Sequence, residues 1–106
     1  MSQKVKAILA ELRRRLEELY GDRMVRMVLY GSQARGEAVE GSDIDVLVVL
    51  AGPVNPGEEV SRTGEVAADL SLQNNVVVSC AFVTELRYDT ERSPFLINVR
   101  TEGMPV

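Results

Sequence analysis

The chain has no histidine, no tryptophan and only one cysteine. The missing histidine excludes imidazole catalysis and His-based zinc sites, so any metal must be held by oxygen ligands, and carboxylates carry that task. The lone thiol, Cys80, lies in an apolar run and cannot close an internal disulfide. It reads as a buried structural residue and fits a reducing cytoplasm. Long hydrophobic runs are also missing. Nothing approaches the roughly 18 apolar residues of a membrane span, and no signal-peptide pattern precedes the apolar segments. The expectation is a soluble, cytoplasmic protein without membrane contact. Positive charge is in deficit: the formal net charge is −4, which argues against direct binding to nucleic-acid backbone as the main task. With 106 residues, 45% of them hydrophobic, there is room for one domain, 1–106, with one modest core.

What is there is well patterned. From Ser2 to Tyr20 apolar residues fall at Val5, Ile8, Leu9, Leu12, Leu16 and Leu19, the spacing of an amphipathic helix that stops at Gly21. Arg13, Arg14 and Arg15 form a basic patch but pair with Glu11, Glu17 or Glu18 on a solvated face. Met24 to Tyr30 reads as a strand, with Val25, Met27 and Leu29 on one face and Arg26, Val28 and Tyr30 on the other. Asp43 to Leu50 is a second strand, and only its first residues are polar. AGPVNPG, from Ala51 to Gly57, is a loop. A helix follows from about Glu58 to Leu72, in which Gly64 and Ala67 offer small surfaces for close approach to a sheet and Asp69 is solvated. Val76 to Val83 is a third strand. Ser93 caps a last helix with Pro94 in its first turn, Phe95, Leu96 and Val99 as its buried stripe, and an end before Gly103. Repeats and low-complexity segments are absent. Helices and strands in this order predict an α/β or α+β fold around a small sheet.

Between the first two strands lies GSQARGEAVEGSDID, from Gly31 to Asp45. Gly31-Ser32 turns the backbone so that Ser32 caps the short helix begun by Gln33, Ala34 and Arg35, aiming N–H groups and a hydroxyl at one spot where an anion binds. Asp43 and Asp45, two apart at a strand start, project from the same face. Their mutual repulsion calls for compensation, and beside a phosphate-sized site the common compensation is a hard divalent cation such as Mg²⁺. A glycine–serine pair alone is usually a turn, and an Asp-x-Asp pair alone a solvated edge. Joined in this order they form one constellation suited to nucleotide chemistry.

Gly31-Ser32-x-Ala34-Arg35-Gly36 followed by Ser42-Asp43-Ile44-Asp45 closely resembles the signature of the minimal nucleotidyltransferases, small members of the DNA polymerase β-like nucleotidyltransferase superfamily. The ending SPFLINVRTEGMPV resembles their closing helix and E-G-hydrophobic tail. The resemblance implies a nucleotidyltransferase fold, a small mixed sheet of three or more strands with helices packed on it. It implies transfer of a nucleoside monophosphate from a triphosphate, ATP foremost, to a hydroxyl, with pyrophosphate leaving. By position, Gly31 and Ser32 would hold the β- and γ-phosphates, and Asp43 and Asp45 would be the catalytic pair that binds Mg²⁺. Arg35 would either contact a phosphate or stay on the surface with Glu37.

One departure stands out. Active members of that family usually carry a third carboxylate on the next core strand, where it completes the metal site and helps deprotonate the acceptor, and here the best match for it is Ser79, a poor ligand and a poor base. Such proteins are often encoded beside a helical HEPN-family partner. The resemblance therefore also admits a catalytically weak or inactive, antitoxin-like partner-binding module. The sequence leaves the base, the acceptor and homo-oligomerisation open.

Overall fold

The computed structural model describes residues 1–106. Helix α1, Gln3–Tyr20, is capped by Ser2, whose hydroxyl accepts the Val5 N–H at 3.1 Å. A single 3₁₀ turn at Gly21–Arg23 leads into β1, Met24–Tyr30, which is followed by the one-turn helix α2, Ser32–Arg35, and then by β2, Ile44–Leu50. Next come α3 (Pro56–Asn74), β3 (Val78–Thr84), α4 (Glu85–Thr90), α5 (Pro94–Glu102) and β4 (Met104–Pro105). The four strands form one mixed sheet in the order β3-β2-β1-β4. β1 runs antiparallel to β2 and β4, while β2 and β3 are parallel. The α3 crossover is what allows that parallel pair.

Strand alternation divides the apolar residues between two faces. On one, α1 and α3 cover Met27, Leu29, Ile44, Val46, Val48, Leu50, Val78 and Phe82. On the other, Leu96 and Val99 of α5 close over Val28, Leu47, Val49 and Val83. Leu12 and Leu16 of α1 are fully buried, and truncating either to alanine should cost about 2–5 kcal/mol. At the sheet end where β2 starts, Asp43 and Ser79 are exposed.

Several details depart from the sequence expectation for identifiable reasons. A register shift between Met24 and Arg26 breaks the alternation of β1, so Val25 joins the α5 side while Met24 packs on the α1 side; bulges have this effect. In α1 the stripe ends on Tyr20 and leaves Leu19 45% exposed. Tyr20 donates its hydroxyl to Glu59 at 2.8 Å, and Glu59, 3% exposed, also pairs with Arg62 at 3.1 Å. α3 starts earlier than expected because Asn55 caps it with Pro56 in the first turn, and it runs on until Asn75 adopts a left-handed conformation. Gly64 faces solvent, and a Cβ there would meet nothing within 4 Å, so it serves no close approach. Arg13 and Arg14 pair with glutamates of α1, whereas Arg15 reaches across to Asp69 of α3 at 3.2 Å. β3 begins at Val78, where its pairing with Ile44 starts, and Cys80 within it is partly rather than fully buried. α4 and β4 are too short and irregular to carry a periodic signal. No helix is long and apolar enough to cross a membrane.

Candidate functional site

Antiparallel pairing of β1 with β2 sets the site. Tyr30, the last residue of β1, lies opposite Asp45 near the start of β2, so the turn that leaves β1 stands directly over that carboxylate. Gly31 makes the turn with φ 74° and ψ −156°, a region essentially reserved for glycine. Space demands glycine as well: a Cβ on Gly31 would sit 2.7 Å from Asp45 Oδ2. The glycine of the motif is thus there to admit the aspartate of the motif.

Helix α2 begins at Ser32, with Gly31 rather than Ser32 in the capping position and no side-chain capping bond. The expected role of Ser32 as a cap is corrected here: the Gly31 carbonyl accepts the Ala34 and Arg35 N–H groups, both at 3.1 Å, and the Ser32 hydroxyl makes no capping contact. The preceding amides of the turn have no carbonyl one turn earlier to bond. The chain then returns through a loop braced by Ser42. Its hydroxyl accepts the Val39 N–H at 2.9 Å, and its carbonyl accepts from Gln33 Nε2 at 3.4 Å. Ser42 and Gln33 were not singled out from the sequence, although Ser42 sits in the motif. This bracing delivers Asp43 just before β2, one residue outside the strand expected to contain it.

Asp43 is exposed and Asp45 half-buried. Burial pushes the Asp45 carboxyl above its ordinary range, the Asp43 charge pushes it further, and no basic side chain offsets either effect. The motif's own arginine is engaged elsewhere. Arg35 pairs with Glu37 at 3.0 Å and with Glu102, at the end of α5, at 3.6 Å. The surface alternative raised for Arg35 is therefore the arrangement in this conformation. Two acids share one end of the sheet without a protein cation, which is the donor set that Mg²⁺ accepts when phosphates and water complete its octahedron.

On β3 the residue in register with Asp45 is Ser79, which is exposed. No group of three or more His, Cys, Asp or Glu side chains converges to hold a metal anywhere in the chain. The fold thus brings Gly31, Asp43 and Asp45 together, places Ser32 next in the turn, and directs Arg35 to its acidic neighbours. A cavity of ≈ 480 Å³ lies between the start of α1 and the loop from Gly36 to Ser42, but none of these five residues lines it. The hollow is lined instead by their chain neighbours Gln33, Gly36 and Ser42.

The tail that follows α5 has its own logic. Gly103 has an ordinary backbone, yet a Cβ there would lie 2.5 Å from Val28 Cγ1 and closer still to the Val99 carbonyl oxygen. Only glycine lets the chain turn from α5 onto the edge of β1, where Met104 and Pro105 pair with Leu29 and Val28.

Comparison with known proteins agrees with this architecture. The family model described as "Nucleotidyltransferase domain" matches residues 9–105. Among curated proteins of Methanocaldococcus jannaschii, "Putative protein adenylyltransferase MJ1305" is 45% identical over 93 residues, 88% of this chain. The chain spans only about half, 54%, of that relative's length. "Putative protein adenylyltransferase MJ0141" is 27% identical over 99 residues, covering 93% of this chain and 95% of the relative. Two solved structures share the fold. One is a toxin-antitoxin with AMP-PNP, with TM-score 0.59, 24% identity, and 89% of this chain and 68% of that chain covered. The other, a "putative nucleotidyltransferase from Sulfolobus solfataricus", has TM-score 0.58 and 16% identity, with 99% and 86% covered. A family match over nearly the whole chain, joined to a mixed sheet that sets a glycine–serine turn on paired aspartates, shows that this chain belongs to the nucleotidyltransferase domain family.

Proposed function

We propose that the chain binds a Mg²⁺–nucleoside triphosphate, ATP foremost, and transfers its nucleoside monophosphate to a hydroxyl acceptor on a partner protein or small molecule. The observation that carries this reading is the contact of the Gly31 turn with Asp45, beside Asp43, with no basic side chain neutralising either acid. The names of the two curated relatives, each a "Putative protein adenylyltransferase", support AMP and a protein acceptor. The structural neighbour crystallised with AMP-PNP supports an adenine nucleotide.

In this reading the turn amides and the Ser32 hydroxyl bind and orient the terminal phosphates, while Asp43 and Asp45 hold the metal. Mg²⁺, when bound, supplies charge neutralisation on the triphosphate. The acceptor oxygen attacks the α-phosphorus, the bond to the bridging oxygen of the β-phosphate breaks, and pyrophosphate leaves with the electron pair. The acceptor proton goes to solvent, because β3 offers Ser79 where a third acid would serve as base. Loss of a general base commonly slows a reaction by about 10²–10⁴-fold, so slow turnover is expected. The test is label transfer from α-labelled ATP to acceptor. Wild type should transfer label, and Asp43→Ala and Asp45→Ala should not; equal labelling by all three would refute the reading.

A second reading is an antitoxin-like module that acts by binding a helical HEPN-family partner. The hydroxyl at Ser79, weak as ligand and as base, favours it, and so does the toxin-antitoxin neighbour. A complex in gel filtration that forms without nucleotide and survives Asp43→Ala would establish binding over catalysis. Indifference to such a partner would remove this reading.

A further inference from the structure

Phe95 is an aromatic residue with no core to fill. On α5 the inward positions belong to Leu96 and Val99, 1% and 2% exposed, whereas Phe95 is 45% exposed. The other four aromatic residues are buried or half-buried. What Phe95 does touch is Tyr30: the ring centroids are 5.3 Å apart and the planes stand at 87°. Tyr30 in turn is the residue immediately before Gly31 and the one paired with Asp45.

Paired residues of a sheet project from the same face, so Tyr30, Asp45 and the in-register Ser79 share the face onto which α5 packs. Across β2 from Tyr30, the same face carries the small residues Ser79 and Ala81 on β3. α5 is held on the sheet by its buried Leu96 and Val99, and Arg100 donates to the carbonyls of Tyr88 and Glu91 at 2.7 and 2.6 Å. The aromatic pair therefore has a fixed place beside the Gly31 turn and Asp45.

We infer that the exposed ring of Phe95, braced edge-to-face by Tyr30, is the platform on which the nucleobase of the bound nucleotide stacks. This rests on the reading of Gly31, Ser32, Asp43 and Asp45 as the triphosphate and metal site. A T-shaped contact covers at most one face of the Phe95 ring, which leaves the other for a third aromatic partner. Every base has a π-face, so such a platform adds affinity while discriminating little between bases. It accounts for the exposed aromatic in a helix whose core contacts are complete without it.

The test compares Mg²⁺–ATP, Mg²⁺–GTP and Mg²⁺–tripolyphosphate on wild type, Phe95→Ala and Phe95→Trp by calorimetry. Phe95→Ala should weaken ATP and GTP roughly 5- to 150-fold and leave tripolyphosphate unchanged, and Phe95→Trp should restore both nucleotides. Since the chain has no tryptophan, Phe95→Trp also introduces a single tryptophan that can be excited apart from the tyrosines, and nucleotides should quench it whereas tripolyphosphate should not. Equal weakening for nucleotides and tripolyphosphate, or no change in either, overturns the platform alone. A wild type that binds none of the three overturns the site reading, and the platform with it.

Discussion

Substituting Gly31 by alanine tests how the motif works, because two penalties act there and can be separated. The first is conformational: φ 74° with ψ −156° is strained for any L residue, at about 1–3 kcal/mol. The second is contact with Asp45 Oδ2, which would stand 2.7 Å from the new Cβ. The carboxylate relieves it by rotating off its rotamer, at about 0.5–1.5 kcal/mol. Together these give a destabilisation of about 2–4 kcal/mol, a fall in melting temperature on the order of 10–25 °C. In Asp45→Ala the oxygen and the carboxyl carbon are gone, and the remaining Asp45 Cβ, at 3.7 Å, is an ordinary neighbour. The cost of Gly31→Ala in that background should therefore shrink by about 0.5–1.5 kcal/mol, leaving the backbone part. The assay is denaturant unfolding of the four proteins of the cycle, with Mg²⁺–ATP binding measured alongside. Gly31→Ala should lose binding because Asp45 has been turned away. A zero coupling energy, or intact nucleotide binding in Gly31→Ala, would refute the claim that the glycine exists to admit this carboxylate.

Three further outcomes follow from packing and burial. Gly103→Ala should destabilise by about 1–3 kcal/mol, since its Cβ meets Val28 Cγ1 at 2.5 Å and the Val99 carbonyl; a wild-type melting temperature would show that the tail does not dock on β1. Gly64→Ala, solvent-facing in mid-α3, should stabilise by about 0.5–1 kcal/mol, and calorimetry showing a loss would contradict its placement. Burial pushes the Cys80 thiol up to about 11 from an ordinary 9.0. Because the unfolded chain ionises first, its contribution is complete below about pH 9 and is lost as pH rises toward 11. Melting temperature should thus fall more steeply over that interval in wild type than in Cys80→Ala, and parallel curves would sink this account.

Much of this architecture was legible in the residues, for physical reasons. The stripe from Val5 to Leu16 and the apolar run from Ile44 to Leu50 are long enough for their periods to be read, and Ser93 with Pro94 marks a helix start by local chemistry. The convergence of Gly31 with Asp45 followed from two strands joined by a turn and short loop. What was not legible depended on contacts distant in sequence. The shift that moves Val25 to the other face needs β2 to define it. The pairing of Arg15 with Asp69 needs α1 beside α3, and the binding of Arg35 to Glu102 needs α5 folded back on the turn. Phe95 fits the period of a buried stripe, and only the finished packing of Leu96 and Val99 shows that it is left over. Gly103 looks like a helix stop, whereas its neighbours reveal that it is a point of contact.

The proposed function stands on Asp43 and Asp45 forming a metal-dependent nucleotide site beside the Gly31 turn. Its most direct test is titration of ATP into wild type, Asp43→Ala and Asp45→Ala, each with Mg²⁺ and with EDTA. Binding by wild type with Mg²⁺, and its loss in EDTA and in both variants, is the predicted result. Binding that is indifferent to Mg²⁺ and to both substitutions, or no binding by wild type at all, would contradict it.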